Sequence, residues 1–241
     1  MNNLHIFETS KHQVQALVDR FLDFTNEKLK YQDHINIALS GGSTPVKFFQ
    51  QLSKEKMRIP WKHLHLFWVD ERCVAPDNKD SNYGMTKKYL LDQVNIPAKN
   101  INRIFGEAAP EREVKRYSRI LVEKLELRDG WPVFDWILLG LGEDGHTASL
   151  FPASPLLEDV SSIVKIARHP ISGQRRITLT LPVLNHAKIT TFLVSGSKKS
   201  EVIRNMFKSR SKMSDIPAAR IIPVDGIVEW FLDKEAAASL D

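Results

Sequence analysis

Short apolar runs alternate with amphipathic stretches along almost the whole chain, and this alternation restricts the fold more than any other feature. Residues 4–7, 34–39, 64–70 and 134–139 read as strands, and so do 162–167, 175–181 and 190–194. Residues 101–105 and 221–222 offer shorter strand candidates. Helical patterns lie between them. From 11 to 30, Val14, Leu17, Val18, Phe21, Leu22 and Leu29 fall mostly along one helix face. Further helical patterns cover about 45–56, 82–94, 111–127 and 198–207, and a last one starts near Gly226. Strands and helices in this alternation predict an α/β fold, a mostly parallel sheet with helices on both faces. One domain over residues 1–241 is expected, with room for a small lobe within 77–102. In such sheets ligands bind beyond the carboxyl ends of the strands. Three strands end in distinctive loops there: 40–45, 70–72 and 140–146.

Composition narrows the function classes. The chain has 241 residues, 42% hydrophobic and 26% charged, with a single cysteine, Cys73. A disulfide framework and a Cys-based zinc finger are excluded, and a reducing, cytoplasmic setting is expected. No apolar run approaches the roughly 18 residues of a membrane helix, and the first residues do not read as a secretory signal. A net charge of +5 and a pI near 9.2 suggest anionic partners. Nucleic acid would require a clustered basic face. The one dense basic stretch, Lys198, Lys199, Arg204, Lys208, Arg210 and Lys212, reads as a solvated helix face, with Lys198 the candidate exception.

The loop Ser40-Gly41-Gly42-Ser43-Thr44-Pro45 follows the second strand. Thr44 suits a helix N-cap and Pro45 the first helical position. Gly41 and Gly42 let the backbone turn sharply and approach a ligand. Free N–H groups and the positive end of a helix dipole would then face one spot, which suits a phosphate. Taken alone, the segment fits an ordinary strand-to-helix turn equally well. It is no Walker A loop, and a nucleophile elbow would need Gly in place of Pro45. Asp70-Glu71-Arg72 sets two carboxylates and a guanidinium at a strand end. Arg72 can grip a phosphate bidentately, and Asp70 can orient water, a hydroxyl or an imidazole. Such a triplet alone also fits a surface ion-pair cluster. Cys73 reads as a small packed residue rather than half of a Cys–His pair.

Residues 140–145 spell G-x-G-x-x-G after a strand, yet a dinucleotide site is rejected. Glu143 and Asp144 would put negative charge against a pyrophosphate, and Pro152 and Pro155 cut short the helix that should follow. No strand with an acidic end lies about 20 residues on. His146, on this glycine-rich turn, is more informative. A neutral imidazole near pH 7 is the usual base for activating water, with a structural loop histidine as the competing reading. His63 and His65 share a strand face but lack a third ligand at suitable spacing, so no metal site is expected. His5, His12, His34, His169 and His186 carry no functional signal.

Together these segments resemble the glucosamine-6-phosphate isomerase/6-phosphogluconolactonase family, and its lactonases above all. The carriers are LSGGSTP (39–45), WVDER (68–72), DSN (80–82), LLGLGEDGHTASLFP (138–152), RRITLTLPVLNHAK (175–188) and VSGSKK (194–199). They stand in the family's order over about residues 4–230. The resemblance implies a modified Rossmann-like fold, shared with glucosamine-6-phosphate isomerase/deaminase. It implies hydrolysis of 6-phospho-D-glucono-1,5-lactone to 6-phosphogluconate, in the oxidative pentose phosphate pathway, with no redox cofactor and no catalytic metal. On this reading His146 is the general base, and Asp70 or Asp144 orients it or the water. Amides near Gly41 and Gly42, or at Gly145, face the oxyanion. The phosphate falls to Gly41, Gly42, Ser43 and Thr44 with Arg72, Arg176 and Lys198. Arg176 lies on the polar face of its strand, and Arg175 is the alternative. The expected partner is a small sugar-phosphate lactone, without nucleic acid, membrane or an obligate protein. An isomerase/deaminase reading competes, but the related deaminases carry a catalytic Glu just before the Pro of D-G-H-x-A-F-N-E-P, where this chain has Phe151. A non-catalytic sugar-phosphate sensor of a transcription regulator would need a DNA-binding module, and a strand at about residue 4 is expected to leave no room for one.

Overall fold

The computed structural model describes residues 3–208 and 215–240. The chain opens with β1 (Asn3–Phe7), α1 (Ser10–Lys28), β2 (Ile35–Leu39) and α2 (Ser43–Lys54). It continues through β3 (Leu64–Trp68), β4 (Asp70–Arg72), α3 (Asn82–Tyr89) and β5 (Ile101–Asn102). Helix α4 (Pro110–Lys124) leads to β6 (Glu126–Arg128), β7 (Trp131–Val133) and β8 (Trp136–Leu139). Then follow β9 (Val164–Arg168), β10 (Arg175–Leu179), α5 (Leu181–Asn185) and β11 (Ile189–Val194). The last elements are α6 (Ser200–Lys208), β12 (Ile227–Asp233) and α7 (Lys234–Ala237).

The central sheet runs β1-β12-β11-β8-β2-β3-β5, and every neighbouring pair in it is parallel. Every residue of β2, β8 and β11 is buried, as strands must be when both sheet faces are covered. Helix α1 is capped by Thr9, whose side chain accepts the His12 N–H, and it buries Val14, Leu17, Val18, Phe21 and Leu22. Those five are the apolar stripe of the sequence. The order of strands reverses beside β2. From there β3 and β5 extend one way, and β8, β11, β12 and β1 the other. The loops after β2 and β8 therefore diverge and leave a crevice between them. Above it lies a second, antiparallel sheet, β4-β10-β9.

Several expectations are corrected. Helix α2 begins at Ser43 with Gly42 as its cap, so Thr44 is not the N-cap and Pro45 is the third helical residue. Asp70-Glu71-Arg72 is not a loop but β4, because β10 offers it an antiparallel partner. The helix read through residue 127 stops at Lys124, and β6 and β7 form a hairpin closed at Asp129-Gly130. Both turn residues have positive φ, which is the Asp-Gly hairpin signal. The final helix expected from Gly226 is instead β12. Its seven residues, IVEWFLD, are bonded on both sides by β1 and β11, and in so short an apolar run periodicity cannot separate a buried strand from a helix. Residues 221–222 are not a strand, and the Ile222 N–H donates to Asn185 Oδ1 at 2.9 Å. Residues 77–102 join the main body: α3 packs on α2, β5 extends the central sheet, and Leu90 and Leu91 belong to its core. Of the basic stretch, Arg210 and Lys212 lie outside the described residues. Among those described, no helix is long and apolar enough to cross a membrane.

Candidate active site

A cleft of about 210 Å³ opens where the strand order reverses. Gly41, Gly42, Ser43 and Thr44 line it from the β2 loop, and Asp70 and Arg72 from β4. Gly140, Gly142 and His146 contribute from the β8 loop, Arg176 from β10, and Lys199 from the turn before α6.

His146 Nδ1 lies 2.6 Å from Asp144 Oδ1, which also accepts the His146 backbone N–H at 3.1 Å. Burial works to raise the Asp144 carboxyl, but these bonds outweigh it and hold it at about 2. An ionised carboxylate only accepts, so in a neutral ring Nδ1 carries the proton and Nε2 the free lone pair. Gly142 makes the pairing possible. A Cβ there would stand 2.1 Å from Nδ1 and 2.4 Å from Asp144 Oδ1. The sequence left Asp70 and Asp144 open as partners of His146, and the geometry pairs it with Asp144. Asp70 is buried and accepts from the Ser149 hydroxyl at 2.6 Å and from Asn82 Nδ2 at 3.0 Å.

Arg72 and Arg176 are direct cross-strand partners between β4 and β10. Arg72 Nη1 donates to the Asp80 carbonyl at 2.6 Å, and Arg176 Nη1 to Ser149 Oγ at 3.4 Å. The Nε of each is buried with no protein acceptor. Arg175, the alternative, pairs with Glu111 instead, and its side chain is 39% exposed. Lys198 does not line the cleft. Its side chain is 81% exposed and lies 4.0 Å from Glu143, whereas its neighbour Lys199 faces inward. Burial lowers the Lys199 ammonium, opposed by Glu143 and Asp144. Both lysines sit in the 3₁₀ turn Ser197–Lys199, ahead of α6 at Ser200, and as adjacent residues of one turn they point to different sides.

Sequence reasoning passed over two neighbours of the cleft. Ser149 and Asn82 sit inside the quoted segments, yet nothing in their spacing shows that both bond Asp70. Phe151 is buried, with its ring 4.8 Å from that of His146 and 5.5 Å from the Arg176 guanidinium. His169 packs edge-on against Phe151 at 5.1 Å. Cys73 packs against the hydrophobic core, and burial pushes its thiol up. His63 bonds the Asp33 carbonyl and His65 stacks on His34, both at the amino end of β3, away from the cleft. Among the described residues, no three His, Cys, Asp or Glu side chains gather as metal ligands would.

The family profile described as glucosamine-6-phosphate isomerases/6-phosphogluconolactonase matches residues 8–230. The chain belongs to that family. Among its relatives, the 6-phosphogluconolactonase of Aggregatibacter actinomycetemcomitans is 41% identical over 240 residues, covering 99% of this chain and 100% of that protein. The crystal structure of a devB protein matches with a TM-score of 0.94 at 41% identity over 100% of both chains. The 6-phosphogluconolactonase of Trypanosoma brucei has a TM-score of 0.90 at 27% identity, over 100% of this chain and 99% of that one. The modified Rossmann-like α/β fold implied by the sequence is the fold of these structures.

Proposed function

We propose that this chain hydrolyses 6-phospho-D-glucono-1,5-lactone to 6-phospho-D-gluconate, with His146 as general base and Arg72 and Arg176 holding the phosphate. One observation carries this reading: His146, paired with Asp144, and the two opposed arginines line the same cleft. His146 Nε2 accepts a proton from water as the water oxygen attacks the lactone carbonyl. Asp144 stabilises the imidazolium that results. The carbonyl oxygen becomes an oxyanion. The Gly145 amide is engaged by the Gly142 carbonyl at 3.1 Å, so the Gly41 and Gly42 amides are the donors assigned to that charge. The bond from the carbonyl carbon to the ring oxygen then breaks, and His146 returns its proton to that oxygen. Only water is consumed.

The phosphate is remote from the reacting carbon. Arg72, Arg176, Lys199 and Ser43–Thr44 at the start of α2 anchor it, which fixes the carbonyl against the water. Lys199 takes the place that the sequence gave to Lys198. Phe151 gives His146 and Arg176 an apolar wall but has no proton to transfer, so the ring opening of a deaminase lacks its acid.

A coupled assay tests the reading. A glucose-6-phosphate dehydrogenase generates the lactone, and a 6-phosphogluconate dehydrogenase reports its opening above the spontaneous rate. Wild-type protein is expected to accelerate the reaction. His146→Ala is expected to lose about 100-fold or more in kcat while still binding 6-phosphogluconate. Near-normal turnover would remove His146 from the mechanism.

A further inference from the structure

We propose that Glu71, which does not line the cleft, is a positioning residue that sets the Arg72 guanidinium and the Asp70 carboxylate by clamping the amino end of α3 to β4. The proposal rests on the phosphate role given to Arg72 above. Alternation along β4 turns Asp70 and Arg72 to one side and Glu71 to the other. Glu71 is only 2% exposed, and its carboxylate accepts four hydrogen bonds. Oε1 takes the Arg72 N–H at 2.8 Å and the Asn82 N–H at 2.7 Å. Oε2 takes the Tyr83 N–H at 2.8 Å and the Ser81 hydroxyl at 3.1 Å. Asn82 and Tyr83 open α3, and amides of a first helical turn have no acceptor within their own helix. The carboxylate supplies one.

From α3 the constraint returns to the cleft along two paths. The Asp80 carbonyl, directly before the clamped residues, accepts Arg72 Nη1 at 2.6 Å. The Asn82 side-chain amide donates to the Asp70 carbonyl at 2.9 Å and to Asp70 Oδ1 at 3.0 Å. Asp70 holds the Ser149 hydroxyl, and Arg176 rests on that hydroxyl. Both arginines thus connect to one buried carboxylate. Asp144 and His146 share no hydrogen bond with this network, although Ser149 follows them on the same loop.

Glu71→Gln keeps the shape but turns an NH2 group toward two donors. The assay belongs at pH 8, since burial, against the pull of the backbone donors, pushes the Glu71 carboxyl up to about 7. There KM for the phosphorylated lactone is expected to rise about 10- to 100-fold, with kcat within about threefold. Efficiency toward unphosphorylated gluconolactone is expected to stay within about threefold. A purely structural role gives another pattern: fewer folded molecules lower kcat for both lactones and leave KM alone. That pattern overturns the proposal, and so does an unaltered KM. If the variant does not fold, wild-type protein supplies the test. Binding of 6-phosphogluconate is expected to slow amide exchange at Arg72, Asn82 and Tyr83 at least about fivefold, and unchanged rates overturn the clamp. Wild-type turnover in the same assay keeps the two readings apart. Its absence removes the hydrolase reading and this one with it. Its presence beside an unaltered KM in the variant removes the clamp alone.

Discussion

Arg72 and Arg176 stand opposite each other on adjacent strands, and like charges so placed repel. Burial lowers the Arg176 guanidinium further, with only Asp70, Asp80 and Glu71 opposing. Such a pair costs stability in the empty protein and is relieved by an anion between the two, which is the physical ground for reading it as a phosphate cradle. His146 follows the opposite logic, since its partner Asp144 is a fixed acceptor and defines which nitrogen is free. His65 shows what a histidine does without such a partner. It is half-buried against His34 at 4.8 Å. Burial, and then the nearby His34, Lys124 and Lys99, push it from 6.5 to about 4. Between those values the unfolded chain takes up a proton that the fold resists. Its contribution to stability is therefore full above about 6.5 and is lost as pH falls toward about 4. The melting temperature of wild-type protein is expected to drop over that window, and His65→Gln to drop less. Equal slopes by scanning calorimetry would contradict the assignment.

The end of β3, which leads into β4, is held in place by the helix beside it. Trp68 ends β3, beyond the reach of the two-residue β5. Tyr117 of α4 takes the place of the missing strand: its hydroxyl accepts the Trp68 N–H at 3.0 Å and donates to the Trp68 carbonyl at 2.8 Å. Tyr117→Phe leaves both backbone groups buried without that partner, and a loss of about 1–3 kcal/mol is expected from urea unfolding. A change under about 0.5 kcal/mol would show that the phenol is dispensable. Elements of this interior kind were legible in the sequence where their own residues decide them. Strands β2, β3, β8 and β11 are short apolar runs, and α1 shows its stripe. Strand β4 was not legible, because three charged residues become a strand only through the partner that β10 provides. The same holds in the site. Asp144, Gly142 and His146 fall within one turn and could be read together. The opposition of Arg72 and Arg176 is a matter of register between distant segments, and the choice of Lys199 over Lys198 depends on one residue of helical phase.

The molecule as a whole assembles the site by topology. A parallel sheet whose order reverses beside β2 brings the loops after β2 and β8 to one edge, and the β4-β10-β9 sheet carries two arginines over them. A net charge of +5 and the cation-lined cleft both favour an anionic substrate. In the proposed function, proton transfer by His146 and phosphate anchoring by Arg72 and Arg176 are separate tasks performed in one cleft, from the β8 loop and from the second sheet. The specificity of Arg72→Ala bears on it above other measurements. For the phosphorylated lactone, kcat/KM is expected to fall about 100-fold, while for plain gluconolactone it changes less than about threefold. Equal losses on the two lactones would contradict the division of labour and, with it, the placement of the phosphate between the two arginines.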